Sequence, residues 1–530
     1  MFMNKQFEGI LDRYFEATLE DHPVLANFTG LRRGEGKLDK ATPDFERKQH
    51  QRRLVTLAQL DGVSPRELSN EQQLDRLALR GMLLRECEDH DRRRASLEPD
   101  APERLMNVLL HELIRGDDEP KRAATNIRSL LDKTPRFLDE AITLIDRPEP
   151  VWLKIMRQTS AGAPTLFSAV ETFLKKSSPE PKDRARISSA QRAIKKYCDK
   201  VEARQTAAPG SFAIGPEAMQ RRVRDQLGLD YTLAEVESLA LGEIRRINGL
   251  LKETACGRDP VKLIDEARKQ WRPAKPLLDL YKQTTKQIAQ TFRNRRAVTF
   301  PNGDSLEVRP VPEFMRPLFP TAAYTSPGAF EKRQRGIFWV NDLSVTKDSA
   351  QDKLREQQQH FGLSLTCAHE AYPGHHLQFV TANRHPRKWR RLFAHAVFYE
   401  GWTLWCEQMM VDLKIDTSPL LRIQQLHDAL WRAHRILVDL RLQTRRYNYA
   451  QAVQHMQKNL GFTKARAEGD VNWYTAQPSV PMSYWLGRLE NERLRQRLVV
   501  GRGWSLQKFN DWLLSFGTIP QAWIEKYGLD

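Results

Sequence analysis

The residues best equipped for chemistry lie in one short run, His369-Glu370-Ala371-Tyr372-Pro373-Gly374-His375-His376. On a helix, a histidine followed at once by a glutamate, with a second histidine one turn on, chelates zinc and sets a carboxylate beside the water to be activated. In the ordinary spacing the two histidines stand at i and i+4, but here i+4 is Pro373, which ligates nothing. Histidines follow instead at i+6 and i+7. An unbroken helix would put His376 in phase with His369 but about 10.5 Å further along the axis, and would turn His375 out of phase. Pro373-Gly374 must therefore break or bulge the helix and swing one of the two back. His369 and Glu370 keep their usual meaning, and His375 and His376 both stand as the second ligand. The bland alternative is a wet helix end rich in histidine.

A three-ligand zinc site of this kind is closed by a carboxylate from a second helix, roughly 20–30 residues downstream, with the fourth position left to water. Glu400 falls 25 residues after His375 and 24 after His376. Its setting, FAHAVFYEGWTLWCEQMM, is apolar apart from His395, Glu400 and Glu407, and an acid there is costly to bury unless paired or metal-bound. Glu407, seven residues on, returns to nearly the same helical face and can accept a hydrogen bond from a ligating histidine. The competing account pairs Glu400 with one of the chain's many arginines.

HEAYPGHHLQ followed by FYEGW resembles the bacterial domain of unknown function 885 family, a group of HExxPGHH proteins that resembles the helical glutamate-zincin metallopeptidases such as angiotensin-converting enzyme and thimet oligopeptidase. The resemblance runs over nearly the whole chain. FEGILDRYFEATLEDHPVLANFTGL, YTLAEVESLALGEIRRI, GIFWVND, RAHRILVDLRL and PMSYWLG follow in the family's order. It implies a mainly α, large helical zincin-like (neurolysin-like) fold with a small β-sheet beside the active-site helix. It also implies one Zn2+ per chain and a peptide substrate, with oligopeptides hydrolysed by an activated water and Glu370 as general base. Tyr484 matches the late tyrosine that such peptidases aim at the oxyanion, with Tyr474 as a second candidate. Where many members have Asp-Thr-Gly-Leu-His, this chain has Asp439-Leu440-Arg441-Leu442-Gln443, and Trp473 and Trp485 stand in usually basic positions. Gln443 still donates a hydrogen bond but carries no proton. These departures spare the expected ligands and bear on substrate handling. They leave two alternatives to the peptidase: a catalytically altered zinc-binding or scaffold protein, and a zinc hydrolase of a non-peptide amide. Glu370 argues for an enzyme, since a structural zinc site closes with four protein ligands and needs no general base.

Elements able to position these residues are mostly helical. Amphipathic periodicity predicts helices over 71–93, 120–146, 184–204, 232–254, 278–295, 350–371, 389–412, 419–444 and 484–498. Gly336–Asp342 reads as a strand, either an edge that pairs with an extended substrate or an ordinary core strand. Asn302-Gly303, between two alternating runs in AVTFPNGDSLEVRPV, predicts a hairpin. The opening MFMNKQFEGILDRYFEA reads as an amphipathic helix of the fold and not as a signal peptide.

With 530 residues, 40% of them hydrophobic, and no low-complexity linker, the chain suits one large unit or two docked lobes, about 1–275 and 276–530. No apolar stretch reaches the roughly 18 residues of a membrane span. The five cysteines are scattered and odd in number, which suits the reducing cytoplasm. Cys367 and Cys406 read as small buried residues. The net charge of +17 is interleaved with acids and accompanied by no nucleic-acid motif, so it reads as a solvated surface. Oligomeric state leaves no signal in the sequence.

Overall fold

Helices begin where a polar cap precedes an apolar stripe. Ser69 with Gln72, Thr232 with Glu235 and Asn448 with Gln451 each form a reciprocal capping box at a helix start. The computed structural model describes residues 3–116, 118–312, 316, 321–343 and 349–529. Helix accounts for 69% of it and the sheet has three strands, so the fold is mainly α as expected.

Two units divide the chain: Met1–Gln72 with Leu79–Ala213, and Gln73–Ala78 with Ile214–Asp530. Only helices occur among the described residues of the first. There Ala101–Arg115, Pro120–Ala141, Ala163–Ser177 and Asp183–Glu202 pack together, burying Leu105, Leu109, Ile127, Leu131 and Val170. The division falls at Ala213/Ile214, not near residue 275. The reason is packing: the helix Leu233–Thr254 (α1) lies along Pro419–Gln443 (α6 below) and so belongs to the second unit.

The second unit holds the candidate site. After α1 come α2 (Leu277–Asn294), β1 (Asp304–Pro310), β2 (Ala322–Thr325), β3 (Gln334–Val340), α3 (Leu363–Glu370), α4 (His375–Ala382), α5 (Ala396–Asp412), α6 (Pro419–Gln443), α7 (Lys464–Ala476) and α8 (Val480–Arg495). The sheet order is β1-β3-β2, with β1 parallel and β2 antiparallel to β3, and Phe338 opposite both Val308 and Tyr324. β3 is therefore central and buried along its whole length. It is a core strand, and the expected edge for substrate pairing is not there. The expected hairpin is absent too. Asn302 and Gly303 form a turn, with Gly303 at φ 75°, but the preceding residues are not a strand, and Thr299 is held instead by Asp511. The single helix expected over 350–371 is split, with Gly362 at φ 80° immediately before α3.

α5 is apolar on all sides, burying Val397, Phe398, Trp402, Leu404, Trp405, Met409 and Met410, as a helix through the middle of a core must. It packs against α8 at Gly401 and Gly487, whose backbones touch: a Cβ on Gly401 would lie 2.7 Å from the Gly487 Cα. α8 also packs on α6, and α3 sits between α2 and α5.

Candidate metal centre

α3 carries His369 and Glu370 in its last turn and stops there. Ala371 (φ -102°, ψ -104°) and Gly374 (φ -72°, ψ -132°) leave helical geometry on either side of Pro373, and α4 starts afresh at His375. Glycine is required at 374, because a Cβ would run into the carbonyl oxygens of Ala368 and His369. The indole of Trp402 on α5 donates to the Pro373 carbonyl at 2.9 Å, tying the break to the helix that bears Glu400.

Three side chains converge as a result. Glu400 Oε2 lies 3.6 Å from His369 Nε2 and 3.7 Å from His375 Nε2. The donor atoms all fall within 4.8 Å of one another. His369, His375 and Glu400 are 9%, 8% and 7% exposed, so the group is shielded from bulk water. Among the described residues Oε2 has no hydrogen-bond partner, and no arginine or lysine pairs with Glu400. Pairing with an arginine is thus excluded there as the reason for a buried acid.

His369 Nδ1 lies 2.8 Å from Glu407 Oε1. Donating there fixes the tautomer and turns Nε2, with its lone pair, towards Glu400 and His375. This is the arrangement expected of Glu407. His375 Nδ1 meets no partner among the described residues.

Charges in the group are unbalanced. Burial opposes a charge on His369, yet the carboxylates of Glu400 and Glu407, with Glu370 beside them, raise its pKa to about 10. Burial lowers His375 to about 4 against the pull of Glu400. Glu400 is lowered despite burial, through His375, His369 and a hydrogen bond from Tyr484. Burial, aided by Glu400 and Glu407, raises half-buried Glu370 to about 7.

His376 is not in the group. It is fully buried, with Nε2 at 3.1 Å from Asp304 Oδ2 and Nδ1 at 2.9 Å from the Tyr324 hydroxyl. The Tyr372 hydroxyl donates to the same Asp304 oxygen. Gly336 makes the approach possible, since a Cβ there would meet the His376 ring and lie 2.7 Å from the Tyr324 hydroxyl. The last histidine of the motif thus pins α4 to β1 and β2. Asp304 and Tyr324 escaped the sequence reading because neither lies near the histidine motif; His376 and Asp304 are 72 positions apart.

Of the remaining expected residues, Tyr484 reaches the group through its hydrogen bond to Glu400. Tyr474 does not. Its hydroxyl accepts from Arg435 Nε and donates to Asp470, both at 3.0 Å, in a fully buried position. Asp439 is fully buried facing the backbone N–H groups of Ser479 and Met482 at the start of α8, and burial raises its pKa well above the ordinary value. Gln443 donates to the Tyr474 carbonyl at 2.8 Å and accepts from the Ile214 N–H at 3.3 Å, so it ties segments of the fold together. Arg441 pairs with Glu237 at 2.7 Å and Trp485 donates to Glu243 at 3.1 Å. Neither touches the group.

A family model described as a bacterial protein of unknown function (DUF885) matches residues 23–527. The chain belongs to the DUF885 family. No curated protein matches the sequence. This DUF885 protein is similar in structure to a candidate lipoprotein of unknown function from Shewanella oneidensis, at 17% identity and a TM-score of 0.78, covering 99% of this chain and 100% of that one. A candidate lipoprotein from Colwellia psychrerythraea is similar at 17% identity and a TM-score of 0.77, covering 98% of each chain. At that identity the likeness is one of fold. Among the described residues no helix of the DUF885 protein is long and apolar enough to cross a membrane.

Proposed function

We propose that this DUF885 protein is a zinc-dependent metallopeptidase that hydrolyses oligopeptides at His369, His375 and Glu400, with Glu370 as general base. The observation that carries the reading is the convergence of three shielded donor atoms beside a half-buried glutamate. The donors fit the ion: separations of 3.6 and 3.7 Å are close to the roughly 3.3 Å between ligand atoms of a tetrahedral zinc. Their chemistry fits as well, with two imidazoles and one carboxylate and a position left over, as in hydrolytic zinc sites. The resemblance to glutamate-zincins agrees with that donor set.

When bound, zinc polarises a carbonyl and brings water to a pKa of about 7. The chain's own residues do the rest. Glu407 holds His369 in the productive tautomer. Glu370, next in sequence to His369, takes the proton of the attacking water and passes it to the leaving amine. Tyr484, now donating to Glu400, turns its hydroxyl to the developing oxyanion.

Metal content by plasma emission and cleavage of a quenched peptide library, measured on the same samples, test the reading. Wild type should carry about one zinc and cleave, His369→Ala should lose the metal, and Glu370→Gln should keep it and lose activity at least about 1000-fold. Zinc without cleavage would shift the function to a non-peptide amide or to binding. Absence of zinc would remove the site altogether.

For location, the cysteines favour a reducing cytoplasm: all five are free, with Cys87, Cys367 and Cys406 buried. The description of both solved relatives as candidate lipoproteins favours the cell envelope instead. Fractionation of the producing cell decides between them.

A further inference from the structure

Beside the metal group, α6 carries a guanidinium whose hydrogen bonds are only partly made. Arg435 is 6% exposed and donates Nε to the Tyr474 hydroxyl at 3.0 Å, while its two terminal nitrogens donate to nothing among the described residues. The nearby acid, Asp470, is already engaged, accepting from Tyr474 at 3.0 Å and from the Trp431 indole at 2.7 Å. Aromatic faces wall the guanidinium: its carbon lies 4.0 Å from the Trp431 ring centre, 4.7 Å from that of Tyr484 and 5.2 Å from that of Trp473. Stacking restrains the plane of the fork and leaves its edge, where the N–H groups lie, for a planar acceptor.

A second cation stands three residues earlier on the same helix. Arg432 has a buried Nε with no partner, and its charge bears on Glu370. Tyr484 links the two places, with its ring against Arg435 and its hydroxyl on Glu400. The Arg432 Nε is a buried donor without an acceptor, which is costly in a folded chain and calls for an explanation, and the Arg435 terminal nitrogens are open to an acceptor; an incoming anion supplies both.

We propose that Arg435, seconded by Arg432, captures a carboxylate of the substrate, so that this site selects peptides presenting a carboxylate close to the cleaved bond. The inference rests on the peptidase reading for its substrate but not for its binding. A terminal carboxylate and an acidic side chain share that chemistry.

Two measurements on the full chain test it. The first is calorimetric titration with N-benzoylglycine and with its amide, on zinc-loaded and on metal-stripped protein. The acid should bind about 100-fold tighter than the amide, as two charge-assisted hydrogen bonds imply, and the preference should survive metal removal. It should vanish in Arg435→Gln and persist in part in Arg435→Lys. If Arg435→Gln fails to fold, the less buried Arg432→Gln should still cut the preference about tenfold. Equal binding of acid and amide by wild type overturns the inference, as does a preference that needs the metal or survives in a folded Arg435→Gln.

The second is cleavage of three quenched peptides: one with a free C-terminus, one neutral amide, and one amide with a penultimate glutamate. Turnover of the first alone assigns the terminal carboxylate, turnover of the third assigns the side chain, and equal turnover of the neutral amide overturns the inference. Selective binding of the acid with no cleavage of any peptide leaves the inference standing and sinks the peptidase reading.

Discussion

His369 is oriented by its two ring nitrogens doing different things, one donating to Glu407 and the other facing Glu400 and His375. Glu407→Gln keeps the size of the side chain and an acceptor oxygen but removes the charge. It should weaken zinc affinity about 10- to 100-fold, read by competition with a chelator of known affinity. An unchanged affinity would reduce Glu407 to packing. His376→Asn should leave the metal stoichiometry at wild type, because Asp304 and Tyr324 hold that ring away from the group. Loss of metal in that variant would instead make His376 a ligand. His369, Glu400 and Glu407 were legible in the sequence because adjacency to a general base and a seven-residue return on one helix are local facts. The choice between His375 and His376 was not legible. It depends on an aspartate 72 positions upstream and on space left by Gly336, neither of which leaves a local trace.

Glycines at helix breaks and crossings place these side chains. Gly374→Ala would force the α3–α4 break open against the His369 and Ala368 carbonyls. We expect a loss of about 1–3 kcal/mol together with loss of the metal, seen by denaturant unfolding and metal analysis; a stable, loaded variant would contradict the account of the break. Gly487→Ala should push α8 from α5 and carry Tyr484 away from Glu400, lowering stability by a similar amount. Most helices were legible because caps and a 3.6-residue stripe are properties of consecutive residues. The sheet was legible only in part. The strand at 334–340 announces itself by composition, but its centrality comes from a parallel partner thirty positions upstream, Asp304 opposite Gln334. A parallel pairing has no turn to mark it, and Asn302-Gly303 suggested a hairpin that the chain does not make.

At the scale of the whole molecule, acid is the expected weakness. His434 Nδ1 lies 2.9 Å from His455 Nε2, and burial first, with Arg441 also acting, lowers the two to about 3 and about 4. The unfolded chain takes up these protons near the ordinary pKa of about 6.5, while the folded chain refuses them. Their contribution is therefore present in full above about pH 6.5 and declines as pH falls towards 4. Unfolding free energy measured across that window should fall with pH, and His455→Gln should flatten the slope; an unaltered slope would place the acid sensitivity elsewhere. Legibility was lowest here, since the division of the chain follows the packing of α1 on α6 and not any change in composition. Buried Asp75, 1% exposed, belongs to the second unit through the six residues Gln73–Ala78 and accepts from both Arg387 and Arg390. Asp75→Asn should cost about 3–5 kcal/mol, as breaking a buried ion pair does, measured by urea titration; a loss under about 1 kcal/mol would refute that role. The half of the molecule that bears the candidate site is therefore not a portable cassette. Recombination that transplants residues 214–530 alone would leave behind Asp75, the buried acid on which Arg387 and Arg390 converge.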